Sequence, residues 1–183
     1  METLRGTTVG FIGLGAMGKH MVKRIQAAGA ITYAYHGLPA IRYEIARAGI
    51  SLCASPAEIA GKTAGEIIIV MFGPDDDMDA AIQSNAGLLD NLAAGTLIID
   101  MGKTPVTDTK RYAELAKRKG AAWVDAPAEG NETAASHGEL EIAAGGSAED
   151  YARALPVLKC LGSEITHAGE VGAGQSRLLA LQN

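Results

Sequence analysis

Short apolar runs alternate with longer amphipathic stretches along most of the chain. Thr8-Val9-Gly10-Phe11-Ile12 predicts a strand, Met17 to Ala28 a helix ended by Gly29, and Ile31 to Tyr35 the next strand. A helix over Ala40–Ala48 is closed by Gly49, since glycine is favoured just past a helix end, where φ turns positive. Ser55-Pro56-Ala57-Glu58 starts another helix, with Ser as N-cap and Pro in the first helical position. Ile67-Ile68-Ile69-Val70-Met71 is apolar at every position, as a strand covered on both faces should be, and Leu97-Ile98-Ile99-Asp100-Met101 repeats the pattern. Then come a helix over Thr107–Lys119, strands at Ala122–Asp125, Glu139–Ile142 and Glu164–His167, and a helix over Ala148–Cys160 between the last two. Such alternation implies parallel pairing through right-handed crossovers, in an α/β sheet with helices on both faces. Gly145-Gly146-Ser147 is the one boundary candidate, and it reads better as the cap of a strand inside a single domain.

Composition narrows the class. The 183 residues are 48% hydrophobic and 20% charged, with a mean hydropathy of +0.10, enough to bury a substantial core and too apolar for a disordered chain. A net charge of −5 and a pI near 5.4 argue against a nucleic-acid surface. No run approaches the roughly 18 apolar residues of a membrane span. Gly13, Gly15 and Gly18 interrupt the only early apolar run, so no signal peptide is read there. The expectation is a soluble, cytoplasmic protein without membrane or nucleic-acid partners. Its two cysteines, Cys53 and Cys160, are too few for a disulfide framework or a Cys-based metal site, and they should pack as small apolar residues. No metal site is expected.

Gly13-Leu14-Gly15-Ala16-Met17-Gly18 matches G-x-G-x-x-G, directly after the first strand and at the opening of the first helix. Each glycine has its own physical case. Gly13 permits the tight turn, Gly15 lets backbone approach a pyrophosphate, and Gly18 lets helix pack closely on strand. The helix N-terminus adds unpaired N–H groups and the positive end of its dipole. These residues point to dinucleotide binding by a Rossmann-like, doubly wound, mostly parallel sheet. The second strand ends in Tyr35-His36-Gly37, with no acid until Glu44. A carboxylate there would hold a free ribose 2′-hydroxyl. Its absence tolerates a 2′-phosphate, which His36, Arg42 or both would meet, so NADP is preferred over NAD. The alternative is that His36 is a solvated loop histidine.

Val9 to Gly18 closely resembles the opening of the β-hydroxyacid dehydrogenases related to 3-hydroxyisobutyrate dehydrogenase and 6-phosphogluconate dehydrogenase. The likeness continues through Leu97–Met101, Asp125-Ala126-Pro127, Gly145-Gly146 and Val171-Gly172-Ala173-Gly174-Gln175, in the same order. The resemblance implies an NAD(P)-binding domain over residues 1–170, and over 171–183 the start of a helix leading to a helical domain absent from this chain. It also implies hydride transfer between a nicotinamide and a small hydroxy acid or carbonyl compound. Cofactor contacts are then expected from Gly13, Leu14, Gly15, Ala16, Met17 and Gly18, from Tyr35, His36 and Gly37, from Met71, Phe72 and Gly73, and from Lys103 in the loop after Asp100.

The chain departs from the family at the catalytic positions. Where members read D-A-P-V-S-G-G, this chain has Asp125-Ala126-Pro127-Ala128-Glu129-Gly130-Asn131, and Gly102-Lys103 replace the usual Ser-Thr or Ser-Ser. The catalytic lysine position is Leu178 and the asparagine position Leu181. A leucine moves no proton. Arg177 is a poor substitute, because one helical residue turns the side chain through about 100°. Lys103 and Glu129 are therefore the candidate acid–base pair, and Glu129, Gly130 and Asn131 the candidate substrate contacts. The alternatives are a dinucleotide-binding module without catalysis, or a reductase of an imine or semialdehyde. Asp75-Asp76-Asp77 reads as helix capping, and His137 and His167 as structural or surface residues. Leu178-Leu179-Ala180-Leu181 is apolar nearly all round, so a homodimer through this helix is expected, unless the tail folds back on its own domain.

Overall fold

The computed structural model describes residues 3–73 and 78–181. The chain runs β1 (Thr8–Ile12), α1 (Gly18–Ala27), β2 (Ile31–Tyr35), α2 (Pro39–Arg47), β3 (Ser51–Leu52), α3 (Pro56–Thr63) and β4 (Ile67–Val70). Then follow α4 (Met78–Gln83), a short 3-10 turn at Leu89–Asn91, β5 (Leu97–Asp100), α5 (Val106–Arg118) and β6 (Ala122–Asp125). The last elements are β7 (Ala128–Glu129), α6 (Glu132–His137), β8 (Leu140–Gly145), α7 (Ala148–Leu161), β9 (Gly162–Gly169) and α8 (Ala173–Leu181).

The strands form one sheet in the order β3-β2-β1-β4-β5-β6-β8-β7, with β9 on β8. From β3 to β6 every pairing is parallel. The chain winds outward from β1 to β3, then crosses back to lay β4 on the other side of β1. Loops at the carboxyl ends of β1 and β4 therefore diverge and leave a crevice between them. The parallel rule fails at β8, which runs antiparallel to β6 and β7. The reason is the link into β8: six-residue α6 turns the chain back beside β7 instead of carrying it across a face of the sheet.

Alternate residues of the central strands feed two separate cores. Ile69, Leu97 and Ile99 pack with Met21 and Ile25 of α1 and with Val157 and Leu158 of α7. Ile68, Val70 and Ile98 pack with Ile59 of α3, Ile82 of α4 and Tyr112 of α5. A strand apolar at every position is what this sandwiching requires. Cys53 lies buried in the second core and Cys160 packs at the margin of the first.

The helix signals operate as the sequence implies. The Ser55 hydroxyl accepts from the Glu58 N–H, and Ser147 accepts from Asp150, so Gly145-Gly146-Ser147 joins β8 to α7 within one unit. The C-terminal segment corrects the expectation of a largely wetted tail. Leu178 is only 5% exposed because α8 lies back over β8 and β9, whereas Leu179 is 51% exposed. Asp75-Asp76-Asp77 and the side chain of Leu181 lie outside the described residues. Among the described residues no helix is long and apolar enough to cross a membrane.

Candidate functional site

The turn from β1 into α1 gives the three motif glycines distinct local requirements. Gly13 has φ +96°, and a Cβ there would strike the Met71 carbonyl at the end of β4. A Cβ on Gly18 would strike the Gly13 carbonyl and approach the Phe11 ring to 3.2 Å. Gly15 differs: it is exposed, and a Cβ there meets nothing within 4 Å. Two glycines thus close the turn, and the third faces open space at the start of α1.

A cleft of about 400 Å³ opens beside this turn, walled by Gly13, Tyr35, His36, Gly37 and Phe72 from the expected set. Its far side comes from residues the sequence reading missed, Ala54, Ser55 and Pro56 at the start of α3, Ala80 and Ala81 of α4, and Ser84 just after it. The Ser-Pro helix start was visible. Nothing in its spacing showed that it would meet the end of β2, which depends on β3 pairing beside β2.

His36 is not a solvated loop residue, since it is only 8% exposed. Its Nδ1 accepts a hydrogen bond from the Leu14 N–H at 3.3 Å. The neutral ring therefore carries its proton on Nε2, which is buried without a partner among the described residues. Glu44, the first acid after β2, is engaged elsewhere: Lys23 Nζ lies 2.6 Å from it and holds its carboxyl below the usual range.

Farther along the same carboxyl edge, the loop after β5 and the short strand β7 bring Lys103 and Glu129 together, Nζ to Oε1 at 3.0 Å. Lys103 is 59% exposed and Glu129 38%, so the pair stands in water at the rim. The loop after β5 abuts the first cleft, because a Cβ on Gly102 would fall 2.9 Å from the carbonyl of Phe72, which lines it. Asn131 Oδ1 accepts from the Ala134 N–H and caps α6, leaving its amide nitrogen as the outward donor. Gly130 next to it has φ +143°, and a Cβ there would crowd Leu140 at 2.7 Å. Glu132 in the first turn of α6 meets Lys19 and His20 of α1, and their bonds lower its carboxyl pKa.

Beneath this rim are two acids whose identity the sequence displayed and whose placement it did not. Asp100 and Asp125 end β5 and β6, are register partners, and are both fully buried. Asp125 accepts from the N–H groups of Gly172 at 2.6 Å and Gln175 at 2.9 Å, at the start of α8. Asp100 Oδ1 accepts from the Gly102 N–H at 3.1 Å, while its Oδ2 has no partner among the described residues. Burial pushes the Asp100 carboxyl up to about 7, helped by the charge of Asp125.

Leu178 is packed against the sheet and Arg177 points outward, so neither supplies a basic group to the crevice floor. Among the described residues no group of His, Cys, Asp and Glu side chains is arranged to hold a metal. His167 stacks on Tyr151 at 4.4 Å and its Nε2 bonds the Gly146 carbonyl, while His137 lies 4.0 Å from Glu139 on the surface.

Topology, glycine turn and crevice define a Rossmann-like dinucleotide-binding domain. Residues 8–169 match the NAD binding domain of 6-phosphogluconate dehydrogenase, and the chain belongs to that family. Mitochondrial 3-hydroxyisobutyrate dehydrogenase of Mus musculus is 36% identical over 171 residues, covering 93% of this chain and 50% of the relative. The 2-(hydroxymethyl)glutarate dehydrogenase of Eubacterium barkeri is 33% identical, covering 92% and 55%. Among solved structures, Mycobacterium tuberculosis 3-hydroxyisobutyrate dehydrogenase with L-serine superposes with a TM-score of 0.86 at 28% identity, over 96% of this chain and 58% of that one. The chain thus spans about half the length of the curated relatives it matches.

Proposed function

We propose that this chain is the cofactor-binding part of an NAD(P)-dependent oxidoreductase acting on a small hydroxy acid or carbonyl compound. The observation that carries the reading is the open space over Gly15 beside two glycines that admit no side chain. A pyrophosphate can approach the backbone there and meet the start of α1. Gly13 to Gly18 would hold the phosphates, and the His36 Nε2–H and the cleft between Tyr35 and Ser55 would take the adenosine end. Met71 to Gly73 and Lys103 would line the path to the nicotinamide.

A bound nicotinamide would supply hydride transfer at its C4. The chain's part is to orient that ring at the carboxyl edge and to move a proton. In the oxidative direction the substrate hydroxyl proton would leave to the Lys103–Glu129 pair as the carbinol hydride departs. Glu129, Gly130 and Asn131 would contact the substrate. NADP is favoured because Tyr35-His36-Gly37 offers no carboxylate, Glu44 is bound to Lys23, and Arg42 stands without an ion pair among the described residues. The half-exposed Leu179 supports association of two copies through α8.

Leu178, buried where the family lysine would stand, favours a second reading: reduction of an imine or semialdehyde that needs no lysine. Calorimetric titration with NADPH and NADH tests the first step. Micromolar NADPH binding lost in Gly15→Val supports the reading, and absence of binding by either nucleotide at millimolar concentration overturns it. A panel of hydroxy acids, carbonyls and imines, offered to a full-length protein carrying this domain, then separates the chemistries.

A further inference from the structure

Two fully buried carboxyls lie beneath the Lys103–Glu129 rim, away from the glycine turn. β5 and β6 each end in an aspartate, in register and in a parallel pair, so the two carboxyls lie side by side at one depth. Neither is exposed. Two like charges buried side by side repel strongly, and such pairs relieve the cost by keeping one proton.

The donors around them are unequally divided. Asp125 receives the N–H groups of Gly172 and Gln175 and so holds the first turn of α8. Two glycines allow this fit, for a Cβ on Gly145 would lie 2.6 Å from Asp125 Oδ1, and one on Gly174 would lie 2.9 Å from Oδ2. Asp100 has the Gly102 N–H on Oδ1 and no hydrogen-bond partner on Oδ2 among the described residues, with the Thr104 hydroxyl close enough to offset part of the effect of burial. The same Gly102 offers its carbonyl to Gln175 Nε2 at 2.8 Å. Gly102 is therefore gripped from both sides, by Asp100 at its N–H and by α8 at its carbonyl, and Lys103 follows it directly.

We propose that Asp100 and Asp125 form a buried acid pair carrying a single negative charge, and that this pair couples the Gly102-Lys103 loop to the first turn of α8. The charge rests on Asp125, where the backbone N–H groups converge, and the proton rests on Asp100. Burial raises both carboxyls, and at Asp125 the backbone N–H groups of Gly172 and Gln175 pull against that rise, so the charge is better held there than on Asp100. Both aspartates are positioning residues, acting through Gly102 and Gln175. The other charged groups on the surrounding elements are Lys103 on the same loop, Lys110 of α5, whose side chain packs at Gly172, Glu129 on β7, Glu170 before α8 and Arg177 on α8, all of them at least partly exposed. β4 brings only Val70, and β8 only Gly145, to this depth. Loss of the Asp100 proton places a second charge beside the first, and the hold of the pair on the loop and α8 weakens together.

Carboxyl-carbon NMR titration of the whole chain, with the amide signals of Gly102, Gly172 and Gln175 followed in parallel, tests this. The expected result is one aspartate carboxyl titrating near neutral pH, absent in Asp100→Asn, with all three amides shifting at the same midpoint. In Asp100→Asn those amide shifts disappear while the fold is kept. Two carboxyls both titrating below about pH 5 would overturn the shared charge. A near-neutral Asp100 titration that leaves Gly172 and Gln175 unmoved would overturn the coupling. The readout is independent of nucleotide, so it stands or falls apart from the proposed activity.

Discussion

The Leu14 N–H and the His36 Nδ1 join the glycine turn to the end of β2 through one buried hydrogen bond of 3.3 Å. Through that bond the end of β2, where ribose recognition is expected, is attached to the turn expected to hold phosphates.

His36→Leu keeps an apolar body in place but leaves the Leu14 N–H unpaired, which costs about 1–3 kcal/mol when the donor stays buried. Chemical denaturation should show that loss, and titration with 2′,5′-ADP should show weaker binding. His36→Asn, which can accept from Leu14 and still donate, is expected to recover most of both. Equal behaviour of the two variants would separate His36 from the turn.

Gly15 and Gly18 should respond oppositely to added volume. Gly15→Val enters open space, so the melting temperature should hardly move, while NADPH affinity falls at least about tenfold, a change of about 1.4 kcal/mol. Gly18→Ala strikes the Gly13 carbonyl, and overpacking of this kind costs about 1–3 kcal/mol. Differential scanning fluorimetry, with and without NADPH, distinguishes the two.

The Lys103–Glu129 pair should matter little to stability. Exposed pairs couple by about 0.2–1 kcal/mol, so a double-mutant cycle of Lys103→Met and Glu129→Gln should return a value in that range. A turnover assay on a full-length protein carrying the same substitutions should lose far more than that coupling implies if the pair moves the proton. Losses that follow stability alone would remove it from the chemistry.

Asp100 should give the domain a specific dependence on pH. An aspartate in the unfolded chain titrates near about 3.9, and the folded group near about 7. Between those values the folded chain keeps a proton that the unfolded chain has released. Stability therefore falls as pH rises through this window and levels off above it. Asp100→Asn should flatten that part of the slope and be more stable than the parent above pH about 7. Urea unfolding from pH 5 to 8 measures it, and a parent slope of the opposite sign would contradict a protonated Asp100.

The cysteines should react in order. Burial pushes the Cys53 thiol up to about 11, whereas Cys160 is partly exposed. Mass-resolved alkylation of the folded chain should modify Cys160 first and reach Cys53 only when urea opens the second core.

Most of the scaffold was readable because its signals are local. The Val9–Gly18 stretch, the Ser55-Pro56 start and the runs at Ile67 and Leu97 each carry their instruction within about a dozen residues. What escaped was short or distant. β7 is two residues, β3 is two, and α6 is six, too few for a period to declare itself, although Asn131 and Gly138 at the ends of α6 are ordinary cap residues. The antiparallel turn of β8 followed from that short α6 and so escaped with it. At the site, the absence of an acid after Tyr35 and the substitution at Leu178 were visible as residue identities. The burial of His36 was not, because it depends on Leu14, 22 residues earlier in the chain. The Asp125 hold on α8 spans 47 and 50 residues and left no trace in spacing.

The contrast between the glycine turn and the rim at Lys103 has a consequence for how this domain can be re-engineered. The turn works through main-chain atoms and missing side chains, so random variation there has few ways to improve it and many to damage it. The rim is built from projecting side chains, Lys103 on a loop held below by Asp100 and Gln175, and Glu129 on β7 paired to β8. A library confined to Lys103, Glu129 and Asn131 therefore leaves the glycine turn as it is, and under the proposed function it varies the chemistry on a fixed nucleotide site.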